Sequence, residues 1–222
     1  MFRHLARQER YRGTFVDHVA TMLLGLGNGG VFAALALALV LTYRSSGVIN
    51  FATGAIALYG AYTYASLRHG ELLLLIPGLP ASIDMGGPMG FLPAAALALA
   101  MNAVLGALLY LVVFRPLRDA PPLARAVASL GVLVVIQEMM AIRKGTSAVS
   151  VSGIFPSERW ELGSVTVLSD RFYLALSIVV LTIALSGVYR FTRFGLYTRA
   201  TAESQTGAFV SGVSPDRVAL LN

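Results

Sequence analysis

The chain has 222 residues, 56% of them hydrophobic and 13% charged, with a mean hydropathy of +0.72. So apolar and charge-poor a composition excludes an ordinary soluble domain and marks an integral membrane protein. The formal charge of +6 is scattered between apolar runs, which fits contact with anionic lipid headgroups and not nucleic acid, and with no cysteine there is no disulfide framework, thiolate metal site or thiol nucleophile. Residues 1–18 are polar, carrying Arg3, Arg7, Arg10 and Arg12 against Glu9 and Asp17, and read as an interfacial or disordered tail. A single transmembrane domain follows over 19–222. Its first uncharged run, 19–43, is long enough to cross a hydrocarbon core of about 30 Å at 1.5 Å per residue. Arg44, Ser45, Ser46 and Gly47 make a tight connection to a second uncharged run, 48–67. After a Gly- and Pro-rich loop come a third span over 91–114, a short basic connection, and a fourth, weaker span over 123–142 with Arg125 and Glu138 near its two ends. A polar loop holding the only tryptophan, Trp160, and an alternating stretch at 164–168 that reads as a short strand leads to a fifth span over 172–189. The expected fold is therefore an all-α polytopic transmembrane helix bundle of about five spans.

The small residues of these spans recur four apart: Gly25 and Gly29; Ala57, Ala61 and Ala65; Ala103 and Ala107. Faces of this kind let helix backbones approach closely in lipid, where packing drives association. The spans lead into a polar segment, 190–222, that carries the punctuation of two short helices. Ser204 reads as an N-cap and Gly212 as the left-handed residue that closes the helix it starts. Ser214 and Pro215 read as a second N-cap with proline at the first helical position. Such a segment suits either a docking element or an ordinary capped loop.

No catalytic or metal-binding constellation is present: His4, His18 and His69 are isolated, no phosphate-cradling loop occurs, and no two carboxylates share a helix face. Glu138 stands inside a span, where charge is costly, yet about one turn from its end, so that it marks a pathway or reaches to the interface. Near the start of the second span Asn50, Phe51, Thr53 and Gly54 place polar and glycine residues where helix is expected. They form either a broken helix beside a route or a polar helix start. Charge does not orient the chain, since the Lys and Arg residues divide eight against eight with Arg171 at a boundary.

Three pieces, in order, resemble the inner-membrane permease subunits of the branched-chain amino acid ABC importers: YRSSGVINFATG at 43–54, FRPLRDAPPL at 114–123 leading into ASLG at 128–131, and the segment 192–217. Where that family usually has an acidic residue after its Asn-Phe-Ala-x-Gly run, this chain has Ala55. The resemblance implies a bacterial inner-membrane permease without an ATPase site or cofactor of its own, ATP and Mg being held on partner subunits. Those partners would be a second permease subunit, two ATP-binding subunits and an outer-side solute-binding protein. It further implies an outward tail, a translocation route beside Asn50, Phe51, Thr53 and Gly54, and a cytoplasmic coupling helix from about Ser204 to Ser211. Coupling residues would be Arg199, Glu203, Ser204, Phe209, Gly212 and Arg217. The family continues through further spans, so the chain is expected to be C-terminally incomplete, stopping about two turns into the next helix. Competing readings are a urea or short-amide importer of the same type and an ion-coupled secondary carrier, which has no ATPase to dock.

Overall fold

The computed structural model describes residues 2–221 apart from 77, 146–148, 152, 156 and 163–164, with backbone alone for 2–17, 20, 45, 162, 165, 167, 205, 215, 220 and 221. Helices dominate. α1 (Phe2–Ser46) is one helix of 45 residues, so the polar stretch before the first span is helical backbone continuous with it. α2 is Ala52–Arg68; α3 is Phe91–Leu109, prolonged by a π-wound turn, Tyr110–Phe114; α4 is Pro122–Lys144; and α5 is Ser169–Phe191. The chain then runs through α6 (Arg193–Glu203), α7 (Gln205–Val210) and α8 (Pro215–Leu221). Two antiparallel hairpins interrupt the helices: β1 (Glu71–Leu73) with β2 (Ser82–Asp84), and β3 (Arg159–Leu162) with β4 (Val165–Leu168). The alternating stretch is thus the second strand of a hairpin; its first residue, Ser164, lies outside the described residues.

Among the described residues four helices are long and apolar enough to cross a membrane: Thr21–Arg44, Phe91–Phe114, Pro122–Lys144 and Ser169–Phe191. They agree with the expected first, third, fourth and fifth spans to within a few residues. The expected second span differs. Residues 47–51 are not helical, because Gly47 takes φ +68° and stops α1, and α2 begins only at Ala52. At 17 residues α2 is about 25 Å long, against a hydrocarbon core of about 30 Å. Its surroundings compensate, since it is covered by protein more than any other span. Ala52, Ala55 and Tyr59 form a core with Val132, Ile136 and Met140 of α4, and Leu67 packs with Ala94 and Ala98 of α3.

The chain divides into two compact units, Met1–Ala36 with Ser152–Ser186, and Leu37–Val151 with Gly187–Asn222. In the first, Gly27 and Gly30 of α1 lie against α5. A methyl group at Gly30 would come within 3.0 Å of Ile178 Cδ1, and one at Gly27 within 3.0 Å of Arg171 Cγ. Gly25 and Gly29, the pair that the four-residue spacing singles out, are exposed, and a methyl group there would meet nothing within 4 Å. Ala57, Ala61 and Ala103 are exposed as well, although Ala65 is buried. Small-residue spacing finds helices able to approach closely but cannot choose among the stripes each one offers. The β3–β4 hairpin sets Trp160 6.0 Å from Phe172 and 6.4 Å from Tyr173 by ring centroid, an aromatic group at the start of a span.

In the second unit the connection from α2 to α3 is tied down by charge and by glycine. Lys144 Nζ lies 2.8 Å from Glu71 Oε2 and holds the Glu71 carboxyl below its ordinary value of 4.5. With a depressed folded value, the pair's contribution is present above pH 4.5 and is lost as pH falls through the folded value; Glu71 is half-exposed, so the contribution is small. The Arg143 guanidinium donates to the carbonyls of Ile76 and Leu79. Gly70, at φ +84°, follows α2, and a methyl group on it would lie 2.7 Å from the Gly87 carbonyl carbon. Gly78 has a similar φ, +89°, with open space around it. Gly78→Ala should therefore cost only the left-handed penalty, about 1–2 kcal/mol, whereas Gly70→Ala must also move backbone. A larger fall in the apparent melting temperature for Gly70→Ala than for Gly78→Ala, in the same detergent, is the expected result; equal falls would contradict the close approach.

Candidate functional site

Two places gather the residues that the sequence singles out, and both lie in the second unit. The first is the break before α2. Asn50 Oδ1 accepts the Ala52 N–H at 3.1 Å, while the Asn50 carbonyl accepts from Thr53 N at 3.3 Å and Thr53 Oγ1 at 2.8 Å. Such an Asx turn reverses the chain without leaving the new helix's first N–H groups bare. The neighbouring Phe51 N–H donates to Ser129 Oγ of α4 at 3.1 Å, and that hydroxyl donates to the Ala126 carbonyl at 2.7 Å. On the other flank Ser46 Oγ accepts from Val48 N at 3.2 Å. Asn50 therefore spends its carbonyl oxygen on the turn, and no acceptor among the described residues meets its Nδ2. Gly54 is exposed, as is Phe51, and Thr53 is half-buried.

The second place is the corner after α5. Thr192 caps α6, its Oγ1 accepting from Gly195 N at 3.4 Å, and Ser204 both ends α6 and caps α7, accepting from Gly207 N at 3.0 Å. At the far end Val213 N donates to the Ala208 carbonyl at 2.9 Å and Gly212 N to the Phe209 carbonyl at 3.0 Å, with Gly212 at φ +82°. That pair of bonds is a Schellman closure. The expected docking helix, 204–211, is thus α7 with its two caps, and Pro215 opens α8. Of the proposed coupling residues, Arg199 and Glu203 stand on α6, Ser204 at the junction, Phe209 on α7, Gly212 in the turn and Arg217 on α8, all within one packed corner. Phe209 and Val210 are 70% and 82% exposed, while their neighbour Ala208 is buried.

Several elements escaped sequence reading. α6 is one, and Thr192 followed by Gly195 was its local signal. α6 buries Gly195, Thr198 and Thr201, a polar and small face that hydrophobic periodicity does not detect. Its close seat depends on Gly195, where a methyl group would overlap the Tyr189 carbonyl oxygen and stand 2.6 Å from the Tyr189 Cα. Asp216, Arg115, Arg118 and Tyr110 meet across about a hundred residues of sequence. On α2 Thr63 is fully buried, and the Asn102 carboxamide of α3 lies directly over Gly60. Glu138 is exposed on α4. Among the described residues no group of three His, Asp or Glu side chains could hold a metal ion. The arrangement offers hydrogen-bonding groups at a helix break and an apolar tip on a polar corner.

A model of the branched-chain amino acid transport system permease component matches residues 21–222. The chain belongs to this permease family. The high-affinity branched-chain amino acid transport system permease protein LivH of Escherichia coli strain K12 is 25% identical over 217 residues, covering 93% of this chain and 66% of the relative. LivH of Salmonella typhimurium is 25% identical over 214 residues, with the same coverage. The chain thus spans a little under two thirds of the length of these relatives. No solved structure matches it. Family membership covers both the helix break and the corner, each of which lies inside the matched residues.

The caps make α7 testable by itself. Removing the Ser204 hydroxyl with Ser204→Ala should cost about 1 kcal/mol of local stability, read as roughly fivefold faster amide exchange over 205–213 with little change in the spans. Gly195→Ala should act further, shifting α6 off the end of α5 and speeding exchange in α6 and α7 together. Unchanged exchange in α6 after Gly195→Ala would refute the packing.

Proposed function

We propose that the chain is a transmembrane subunit of an ATP-driven importer for branched-chain amino acids, seated in a bacterial inner membrane. It works beside a second permease subunit, two ATP-binding subunits on the cytoplasmic side and a solute-binding protein on the outer side. ATP and Mg belong to the ATP-binding subunits. The observation that carries this reading is the corner α6–α8: a doubly capped helix that turns Phe209 and Val210 out of the fold just after a membrane span. Exposed aromatic and aliphatic side chains on a rigid polar frame fit a pocket on a partner protein. A secondary carrier has no such partner. Family membership supports the transport role, and the relatives' names supply the substrate class.

The route passes the break before α2. There the backbone leaves helix between the buried Val48 and Ala52, and transport proteins expose polar groups to a passing solute at breaks of this kind. Asn50 Nδ2, Thr53 and the open flank at Gly54 line it, while Asn50 Oδ1 and Ser129 hold its shape. The corner lies in the cytoplasm and the N-terminal residues outside.

Docking and passage fail separately. Phe209→Ala leaves the corner folded, because the ring is mostly exposed, and should lower recovery of the ATP-binding subunits about tenfold or more, as for an interface anchor worth roughly 2 kcal/mol. Undiminished recovery would remove Phe209 from the interface. At the break, Asn50→Ser keeps an acceptor for the Ala52 N–H but loses the amide donor, and Asn50→Leu loses both. Leucine uptake per folded complex should fall at least tenfold in each variant, about 1.4 kcal/mol, a loss within the range for a hydrogen bond left unmade. Parent-level uptake in both would place the route elsewhere, and urea uptake in their parent would favour the short-amide reading.

A further inference from the structure

Asp216 sits in the first turn of α8, yet its carboxylate is engaged from the other end of the unit. Arg118 Nη1 donates to Oδ1 at 2.9 Å, Tyr110 OH donates to the same oxygen at 3.3 Å, and Arg115 Nη2 lies 3.7 Å from Oδ2. Tyr110 opens the π-wound turn that ends the third span, and Arg115 and Arg118 lie in the connection from that span to α4. The wide turn matters here. In an α-helix residues five apart point about 140° apart at 3.6 residues per turn, but the i to i+5 bond from Arg115 N to the Tyr110 carbonyl, 2.7 Å, stacks these two residues on one side. One carboxylate thereby meets two groups that a regular helix would set apart, and Arg118 joins them from the turn that follows.

The energy of the cluster explains less than its position. Arg115, Arg118 and Asp216 side chains are 55%, 48% and 43% exposed. Half-exposed pairs of this kind contribute little to folding because water and salt screen them. What they do fix is geometry, since α8 packs on α6 and α7, and the carboxylate is where this corner meets the end of α3 through a charge.

We propose that Asp216 is a positioning residue that locks the α6–α8 corner to the end of α3, so that movement of the corner is transmitted to the transport helices. The proposal rests on the docking role given to that corner above. It separates two things that docking alone leaves joined: holding the ATP-binding subunits, done by the exposed tip of α7, and conveying their motion, done by Asp216 with Arg115, Arg118 and Tyr110.

The test uses the full-length chain expressed with its second permease, ATP-binding and solute-binding subunits, measuring leucine taken up, ATP hydrolysed and ATP-binding subunit recovered. Asp216→Asn should leave recovery and ATP hydrolysis within twofold of the parent while leucine moved per ATP falls at least fivefold. Asp216→Glu should restore the ratio to within twofold, and the reversed pair Asp216→Arg with Arg118→Asp should regain at least half of it. An unchanged ratio in Asp216→Asn overturns the proposal, and so does a loss of ratio and recovery together that the reversed pair does not restore. A parent that neither recovers ATP-binding subunits nor takes up leucine would instead bring down the functional reading itself, and the positioning role with it.

Discussion

Backbone polar groups released where a helix breaks must find partners, and the interval from Gly47 to Ala52 is where this chain meets that constraint. Gly47 lets the chain leave α1 with positive φ. Asn50, Ser46 and Ser129 then take up the N–H and carbonyl groups that the interruption frees. A buried group left unpaired there would be costly, and α4 lies close enough to present Ser129 to the Phe51 N–H. The covering of α2 by α3 and α4 follows from the same need. A helix that starts late, carries Thr63 and Ser66 on its buried side and spans only about 25 Å is better placed against protein than against lipid.

The corner after α5 solves a different problem. A polar segment that follows a span must turn while keeping its helix ends satisfied. Three short helices do this with Thr192, Ser204 and the Schellman closure at Gly212 supplying the caps, and Gly195 allowing α6 to lie on the last turn of α5. Most of the cap bonds are local, which makes the corner a firm frame. The apolar tip it displays is the reverse of ordinary burial: Ala208 points in and Phe209 and Val210 point out.

Local signals were legible in proportion to how local the physics is. Ser204, Gly212 and Pro215 announced α7 and α8, because a cap is a bond between residues two to six apart and needs no tertiary partner. Asn50 and Gly47 announced an interruption for the same reason. By contrast α6 was overlooked, since its buried face is glycine and threonine and its closest contact is with a backbone carbonyl. The glycine stripe on α1 was placed one face away, at Gly25 and Gly29 instead of Gly27 and Gly30, because only α5 decides which stripe is covered. Asp216 looks in the sequence like any first-turn acid, because its partners lie about a hundred residues away.

Composition and the lengths of uncharged runs by themselves determined a polytopic helical membrane protein, since both follow from the thickness and polarity of the bilayer. Short-range spacing likewise determined where helices stop and start around Ser204 and Gly212. Only the tertiary structure decided that α2 is the sheltered helix, that Asn50 spends its oxygen on a turn while Ser129 closes the break, and that a π-wound turn delivers Tyr110 and Arg115 to Asp216. The Ser129 and Asp216 contacts depend on groups dozens to a hundred residues apart meeting within 3–4 Å, and no periodicity in the sequence encodes such a meeting.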